Sequence, residues 1–468
     1  MRFYNALLYI IHIMRIGILG LCFVLSVVSC SKGSDGPVDN GDGDPINEEK
    51  REKVVYDEAG LTYTSYTGLA MAGYQGWFNT PEDGANRGWT HYNRPGCTFG
   101  PGCVGVDFWP DVSEHSKLYD SPFKFEDGSI AQLPSSYDYE TVDLHFKWMQ
   151  EYGIDGVYLQ RFISQLRNPG AKNQVDKVFE NVLKAANKYG RAVSLMYDLS
   201  GLSDKTGIEA DLQMVVEDWE SLQEKHDLFN NVKNPSYLRH NGQPLLALWG
   251  IGFRDRRYST ANIKELINRL QGEGTKKYSL LLGVPYNWRE LKGDAENNVH
   301  FHTLIKEEAD IIMPWAVNRY NSGTYNTVST PVLKPDITWC DQNNVDYAPL
   351  VFPGFSWANL YQSSENENDR VYDRNPRLKG DFFWMQVAGA KAAGAKSLYI
   401  AMFDEIDEGT AIFKCATSDK LPLNGDGTFV GIDPELGSDH YLWLAGEATK
   451  WIKGEGTYTA TRPVRTVK

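Results

Sequence analysis

The sequence is poor in positive charge for its size. Its 468 residues include 47 Lys and Arg against 61 Asp and Glu, which gives a net charge of −14 and a pI of about 5.2. A chain of this sign is repelled by phosphate backbones and by anionic lipid headgroups. The composition therefore argues against nucleic acid or a membrane surface as the main partner.

Several motifs of well-known chemistries are also missing. No GxGxxG turn directly follows the first apolar run, no GxxxxGK[ST] loop occurs, and no GxSxG turn presents a serine nucleophile. No HExxH occurs, and His300 and His302 lie two positions apart on a predicted helix, where their side chains diverge. The sequence therefore predicts no metal and no cofactor.

Cysteine is scarce, with six in the whole chain. Cys97 and Cys103 flank a Gly/Pro loop that a disulfide could close if the protein is exported, and the sequence leaves that pairing open. No second Cys or His pair accompanies them, so the spacing does not match a zinc site. We predict that Cys340 and Cys415 are buried thiols.

The N-terminus has the features of a bacterial lipoprotein signal. A compact apolar run spans 16–28, and Val27-Val28-Ser29-Cys30 resembles a lipobox in which Cys30 receives the lipid. A transmembrane anchor fits less well, because the run is short and a Gly/Asp-rich segment follows it. We predict a signal peptide over 1–29, a lipid-anchored flexible tether over 30–55 and a catalytic barrel over 56–468, at the outer membrane.

From residue 56 onward, apolar strand-like runs alternate with amphipathic helix-like segments. The strands are predicted at 68–78, 153–162, 192–199, 244–251, 278–285, 310–317, 347–357 and 398–403. The helices are predicted at 139–152, 174–189, 208–226, 260–271, 299–308, 328–343, 381–393 and 439–453. Alternation of this kind specifies a parallel sheet, and eight units indicate a single (β/α)8 TIM barrel in the α/β class rather than an open doubly wound sheet.

The last predicted strand ends in four acids: Asp404, Glu405, Asp407 and Glu408. Carboxylates at the end of a buried strand lose solvation, which proteins accept mostly where those groups bind or transfer protons. Glycoside cleavage generally needs two carboxylates, and we predict that Glu405 and Glu408 are the catalytic pair. The competing interpretation of the stretch is a solvated acidic turn.

Polar and aromatic residues recur where the other predicted strands end. In a TIM barrel these ends form the active-site face, and Trp and Tyr rings can pack against sugar faces. Packing at the barrel mouth is the alternative, and Asp198 is either a rival catalytic acid or an ion-pair partner of Arg161. The predicted substrate-binding residues are Tyr74, Trp77, His91, Tyr158, Arg161, Asp198, Trp249, Tyr286, Trp288, Trp315, Asn318 and Trp357.

The segment 403–412, FDEIDEGTAI, resembles the signature of glycoside hydrolase family 99, Asn-Glu-Trp-His-Glu-Gly-Thr-x-Ile-Glu, and 73–78 is similar to that family's first strand. The family comprises endo-acting α-mannosidases and α-mannanases and is related to family 71. The resemblance implies that Glu405 is the base acting on the sugar's 2-hydroxyl and that Glu408 is the acid/base. The family's Trp and His between the two acids are Ile406 and Asp407 here.

We therefore expect a monomeric glycoside hydrolase. Its substrate would be an α-mannan-type glycan by resemblance, or a xylan- or arabinan-type glycan. The main alternative is a non-catalytic glycan-binding surface lipoprotein on the same barrel, and another sugar-active barrel enzyme, such as a lyase or isomerase, is the third interpretation. Membrane contact is expected only through the lipid anchor.

Overall fold

A curled parallel sheet lies at the centre of the protein. The structure, a computed structural model, describes residues 61–203, 207–272 and 275–465. The predicted signal peptide, the whole of the predicted tether and the lipidation site Cys30 lie outside these residues, as do the first residues of the predicted barrel.

The sheet closes into the predicted (β/α)8 barrel. Its parallel strands are β1 (Ala70–Tyr74), β4 (Gly156–Phe162), β5 (Ala192–Asp198), β7 (Gln243–Trp249), β8 (Ser279–Pro285), β9 (Ile311–Trp315), β10 (Asp346–Tyr347), β11 (Leu350–Val351) and β12 (Leu398–Ile400). They pair in the order β10-β9-β8-β7-β5-β4-β1-β12-β11, in which β12 pairs with β1. The short strands β10 and β11 share the seventh position, because β10 pairs with β9 and β11 pairs with β12.

Helices alternate with the strands and cover the barrel. They are α1 (Tyr139–Tyr152), α2 (Ile163–Leu166), α3 (Pro169–Tyr189), α4 (Ile208–His226), α5 (Thr260–Gln271), α6 (His300–Glu308), α7 (Tyr325–Val328), α8 (Thr330–Gln342), α9 (Asp381–Ala393) and α10 (His440–Lys453). Helix α3 begins five residues before the predicted 174, because the Asn168 side chain accepts the backbone N–H of Ala171 and Pro169 suits the first helical position.

Two local predictions differ from the structure. The seventh strand, predicted as one run over 347–357, is interrupted at Pro349, which has no N–H to donate to a neighbouring strand. A hairpin of β2 (Tyr119–Lys124) and β3 (Ile130–Leu133) lies between the first predicted strand and the first predicted helix, where no strand was predicted. A further short pair, β6 (Arg239–His240) with β7, lies at the edge of the sheet.

Side chains of the barrel strands alternate between two environments. Met71, Tyr158, Met196, Ala247 and Tyr399 belong to a cluster that fills the barrel interior, whereas their neighbours in sequence pack outward against the helices. This alternation decides which strand-end residues can reach the barrel mouth.

The described cysteines are accounted for. Cys97 and Cys103 form a disulfide, and Cys340 and Cys415 are buried free thiols, as predicted. Among the residues that the structure describes, no helix is both long and apolar enough to cross a bilayer.

Candidate active site

The acid-bearing segment forms a tight turn after β12. The backbone N–H of Met402 donates to the carbonyl of Thr410 at 3.1 Å, and that of Ile412 donates back to Met402 at 3.0 Å. Between these bonds lie Asp404, Glu405 and Asp407, which are 1%, 5% and 3% exposed, and the half-buried Glu408. The four carboxylates therefore lie at the C-terminal end of the barrel strands and are largely buried, rather than on a solvated turn. We call residues 402–412 the acid turn.

Asp404 joins the acid turn to β1. Its two carboxylate oxygens accept the backbone N–H groups of Gln75 and Gly76, each at 2.8 Å. Burial raises its pKa to about 7. With both oxygens engaged by the backbone, Asp404 holds the turn in place and is not free to transfer a proton to a substrate.

Glu405 is held by two side chains. Its oxygens accept hydrogen bonds from Gln75 Nε2 at 2.8 Å and from Thr410 Oγ1 at 2.7 Å. Burial, followed by the charges of Glu408 and Asp407, raises its pKa well above the usual range. Gln75 and Thr410 fix the direction of the carboxylate, and neither is among the residues that the sequence predicted for the site.

Glu408 has a different environment. Among the described residues no side chain or backbone group donates a hydrogen bond to its carboxylate, and burial together with the charge of Asp407 raises its pKa to about 8. The two bonds that Glu405 accepts favour its ionised form, whereas burial and the charge of Glu408 oppose it, so the two carboxyls titrate together and at raised pKa. Two carboxyls that share one proton can supply one general base and one general acid.

Asp407 pairs with a residue from the long loop after β1. Its Oδ2 lies 3.2 Å from His91 Nδ1, and its Oδ1 is buried and has no partner among the described residues. The His91 ring stacks on Trp77 with centroids 3.8 Å apart and planes at 4°. His91 and Trp77 therefore lie beside the acid turn.

The other half-buried aromatics lie at further strand ends. Trp249, at the end of β7, meets Trp315, at the end of β9, edge to face at 5.3 Å. Trp357 packs against Tyr361 at 4.4 Å, and the charge of Glu408 adds to burial in raising the pKa of Tyr361. Tyr361 was not predicted, because it lies beyond the seventh strand. Asn318 is half-buried three residues after β9.

Four predicted binding residues lie away from this surface. Tyr74 points outward, where its hydroxyl meets His145 Nδ1 at 2.8 Å. Tyr158 is fully buried inside the barrel against Tyr399. Trp288 is fully buried and donates its indole N–H to Asp336 at 3.1 Å. Tyr286 is 7% exposed and hydrogen-bonded to a backbone carbonyl. These placements do not support direct substrate binding by the four residues.

The structure also does not support the predicted role of Arg161 in substrate binding. Its guanidinium donates two bonds of 2.6 Å to Asp218 and one of 2.5 Å to Asp176, on the helix side of β4. The alternative pairing of Arg161 with Asp198 is wrong, because the two side chains lie on opposite faces of the sheet. Asp198 is 6% exposed and accepts the backbone N–H of Ser200 at 2.7 Å, and its pKa is raised by burial.

No protein-family model and no curated protein sequence matches the chain. Among solved structures, the chain is similar in fold to glycoside hydrolase barrels. Two structures of the family 99 endo-α-mannosidase of Bacteroides thetaiotaomicron align with it at TM-scores of 0.56 and 0.54 and 16% and 14% identity. Each alignment covers 83% of this chain, with 99% and 98% of the mannosidase covered respectively. Similarity at this identity establishes the barrel fold.

Among the described residues, no group of three or more His, Cys, Asp or Glu side chains is arranged to hold a metal ion.

Proposed function

We propose that this protein is a glycoside hydrolase in which Glu405 and Glu408 are the catalytic pair. The observation that carries the proposal is the placement of Glu405 and Glu408 together on the acid turn. The two electrostatically coupled carboxylates have raised pKa values and lie at the active-site end of a barrel, and Glu405 is held by Gln75 and Thr410. Half-buried Trp77, Trp249, Trp315 and Trp357 at neighbouring strand ends support a carbohydrate substrate.

The reaction that fits best is the one suggested by the family 99 resemblance. Glu408 protonates the glycosidic oxygen while Glu405 removes the proton from the 2-hydroxyl, whose oxygen attacks C1 and forms a 1,2-anhydro sugar. Water then opens this ring at C1. Glu408 takes the proton from that water, and Glu405 returns its proton to O2. Both carboxyls recover their starting states, and the anomeric configuration is retained.

An α-mannan-type glycan is the first substrate to test. The two solved structures compared above are of an endo-α-mannosidase, and that activity supports the choice together with the signature-like segment 403–412. Xylan- and arabinan-type glycans are the second class. The lipobox-like residues before Cys30 support a location at the outer membrane, with the lipid as the anchor.

The test is a screen of the purified protein, without its leader, against α-mannans, xylans, arabinans and α-glucans. We expect a new reducing end without an unsaturated product, since an unsaturated product would indicate a lyase. Glu405→Gln and Glu408→Gln should each abolish cleavage and spare glycan binding. A wild-type protein that binds a glycan in the panel and cleaves none would contradict the proposal and favour a binding protein.

A further inference from the structure

Asp107, in the long loop after β1, is buried without a cation. It is fully buried, and none of the described Lys or Arg side chains forms an ion pair with it. Its carboxylate accepts hydrogen bonds from Ser356 Oγ at 2.5 Å, from the N–H of Ala358 at 2.8 Å and from the N–H of Asn359 at 2.7 Å. A buried carboxylate needs such donors, because it has lost its hydration. Burial raises its pKa to about 6.

The same residues hold the acid turn by its backbone. The N–H of Asp107 donates to the carbonyl of Ile406 at 3.2 Å, and the N–H of Ser356 donates to the carbonyl of Glu408 at 2.9 Å. Ser356 Oγ also accepts the N–H of Asp373 at 2.8 Å, so the hydroxyl cannot turn away freely. Asp107 therefore reaches the acid turn directly and through Ser356.

The packing at Gly409 shows how closely Ser356 approaches the turn. Gly409 has φ of +65°, and a Cβ built there would lie 2.8 Å from the Ser356 backbone nitrogen. Only glycine accepts both this backbone conformation and this approach without strain. The Arg377 guanidinium also holds the acid turn, because it donates hydrogen bonds to the backbone carbonyls of Gly409 and Ala411 at 2.9 and 2.8 Å.

We propose that Asp107 and Ser356 are positioning residues that fix the Glu408 backbone, and with it the direction of the Glu408 carboxylate. The inference rests on the proposed function for the catalytic role of Glu408. It gives the loop after β1 a second role beside the placement of His91, the one residue of this loop that the sequence predicted for the site. The Glu408 carboxylate accepts no hydrogen bond from the described residues. Its position is therefore set by its backbone and by packing.

Ser356→Ala and Asp107→Asn test this role, with Ser279→Ala as the matched control. Ser279 is as fully buried as Ser356 and also donates its hydroxyl, at 2.6 Å to the carbonyl of His240, but it begins β8 at the opposite end of the barrel. We expect Ser356→Ala and Asp107→Asn to lower kcat by about 10- to 100-fold with KM nearly unchanged, as misplaced catalytic groups do. Ser279→Ala should leave kcat within about twofold of wild type, since it removes one bond far from the acid turn.

Hydrogen exchange gives a readout that does not depend on activity. The amides of Thr410 and Ala411 both donate to the carbonyl of Glu405, at 3.1 and 3.0 Å. We expect their exchange to accelerate at least about tenfold in Ser356→Ala and Asp107→Asn and to stay unchanged in Ser279→Ala, because only the first two loosen the turn.

The two readouts separate this inference from the proposed function. If the wild-type protein cleaves no glycan, the proposed function fails, and the exchange rates alone still decide whether Asp107 and Ser356 hold the turn. Unchanged exchange in both variants overturns the inference, and so does a kcat loss no larger than that of Ser279→Ala.

Discussion

His91 Nδ1 lies 3.2 Å from Asp407 Oδ2, although 316 positions separate the two residues in the chain. Stacking of the His91 ring on Trp77 at 3.8 Å fixes the plane of the imidazole. The loop after β1 thus brings an imidazole to the acid turn, where it contacts Asp407, the carboxylate that lies between the two proposed catalytic residues in sequence.

The first prediction concerns the charge of Asp407. That charge contributes to the raised pKa of both Glu405 and Glu408. Asp407→Asn removes it, so the pKa of Glu408 should fall and the protonated acid should be lost at lower pH. We expect the alkaline limb of the kcat/KM profile to move down by about one pH unit or less. Asp341→Asn, the same change at an exposed position on α8, is the control. An alkaline limb that stays in place or moves upward would contradict the assignment.

The second prediction separates the roles of the two catalytic acids. A substrate with a very good leaving group needs no protonation of the departing oxygen. On a dinitrophenyl glycoside, Glu408→Gln should therefore retain much of the wild-type rate of dinitrophenolate release in the first turnover, while Glu405→Gln should stay slower by about 10²- to 10⁴-fold. On an unactivated glycan both variants should lose cleavage. First-turnover release of dinitrophenolate, which precedes the step in which Glu408 takes a proton from water, provides the measurement, and the reverse order of the two variants would exchange the roles.

The third prediction follows from the burial of Glu408, whose pKa is about 8 in the folded protein and near its ordinary value when unfolded. At a pH between these two pKa values, Glu408 has lost its proton in the unfolded chain but still holds it in the folded protein. Wild-type stability should therefore fall as pH rises from about 4.5 to 8. Glutamine has no such proton to lose, so Glu408→Gln should be more stable than wild type at pH 8, by on the order of 1 kcal/mol or more. Denaturant unfolding at pH 5 and pH 8 measures this, and a difference between the proteins that does not grow with pH would argue against the raised pKa.

The fourth prediction tests the aromatic surface. Trp249 and Trp357 are half-buried at strand ends and would pack against the substrate. Replacing either with Ala should raise KM by about 3- to 10-fold, with a smaller effect on kcat. Trp443→Ala, at an equally half-buried position on α10, should leave KM unchanged. A KM effect of Trp443→Ala as large as that of the strand-end variants would remove the support for a sugar-binding surface.

The fifth prediction concerns the anchor. If Cys30 carries the lipid, the protein expressed in a bacterial host should incorporate labelled palmitate, and Cys30→Ser should not. Cys340→Ser keeps the lipobox-like residues and should label normally. Labelling of the Cys30→Ser variant would show that the chain is attached in another way.

The order of the barrel elements was predictable because each is a local pattern. Helices such as α4 and α5 match the predicted 208–226 and 260–271, since their apolar residues recur at the helical period. The seventh strand was less predictable, because Pro349 interrupts the pairing within an apolar run that otherwise resembles one strand. The β2–β3 hairpin was missed because its short strands have few buried positions and lie within a Gly- and Pro-rich segment.

By itself, the sequence determined the barrel class and the concentration of acids after its last strand, because hydrophobic period and strand-end composition are local properties. The tertiary structure decided which of those acids are engaged by the backbone, as Asp404 is, and which receive no hydrogen bond from the residues that the structure describes, as is true of Glu408. It also separated Trp249, at the barrel mouth, from Tyr74, packed against a helix. That separation depends on the side of the strand that each residue occupies, and contacts such as His91 with Asp407 depend on loop paths that no local pattern contains.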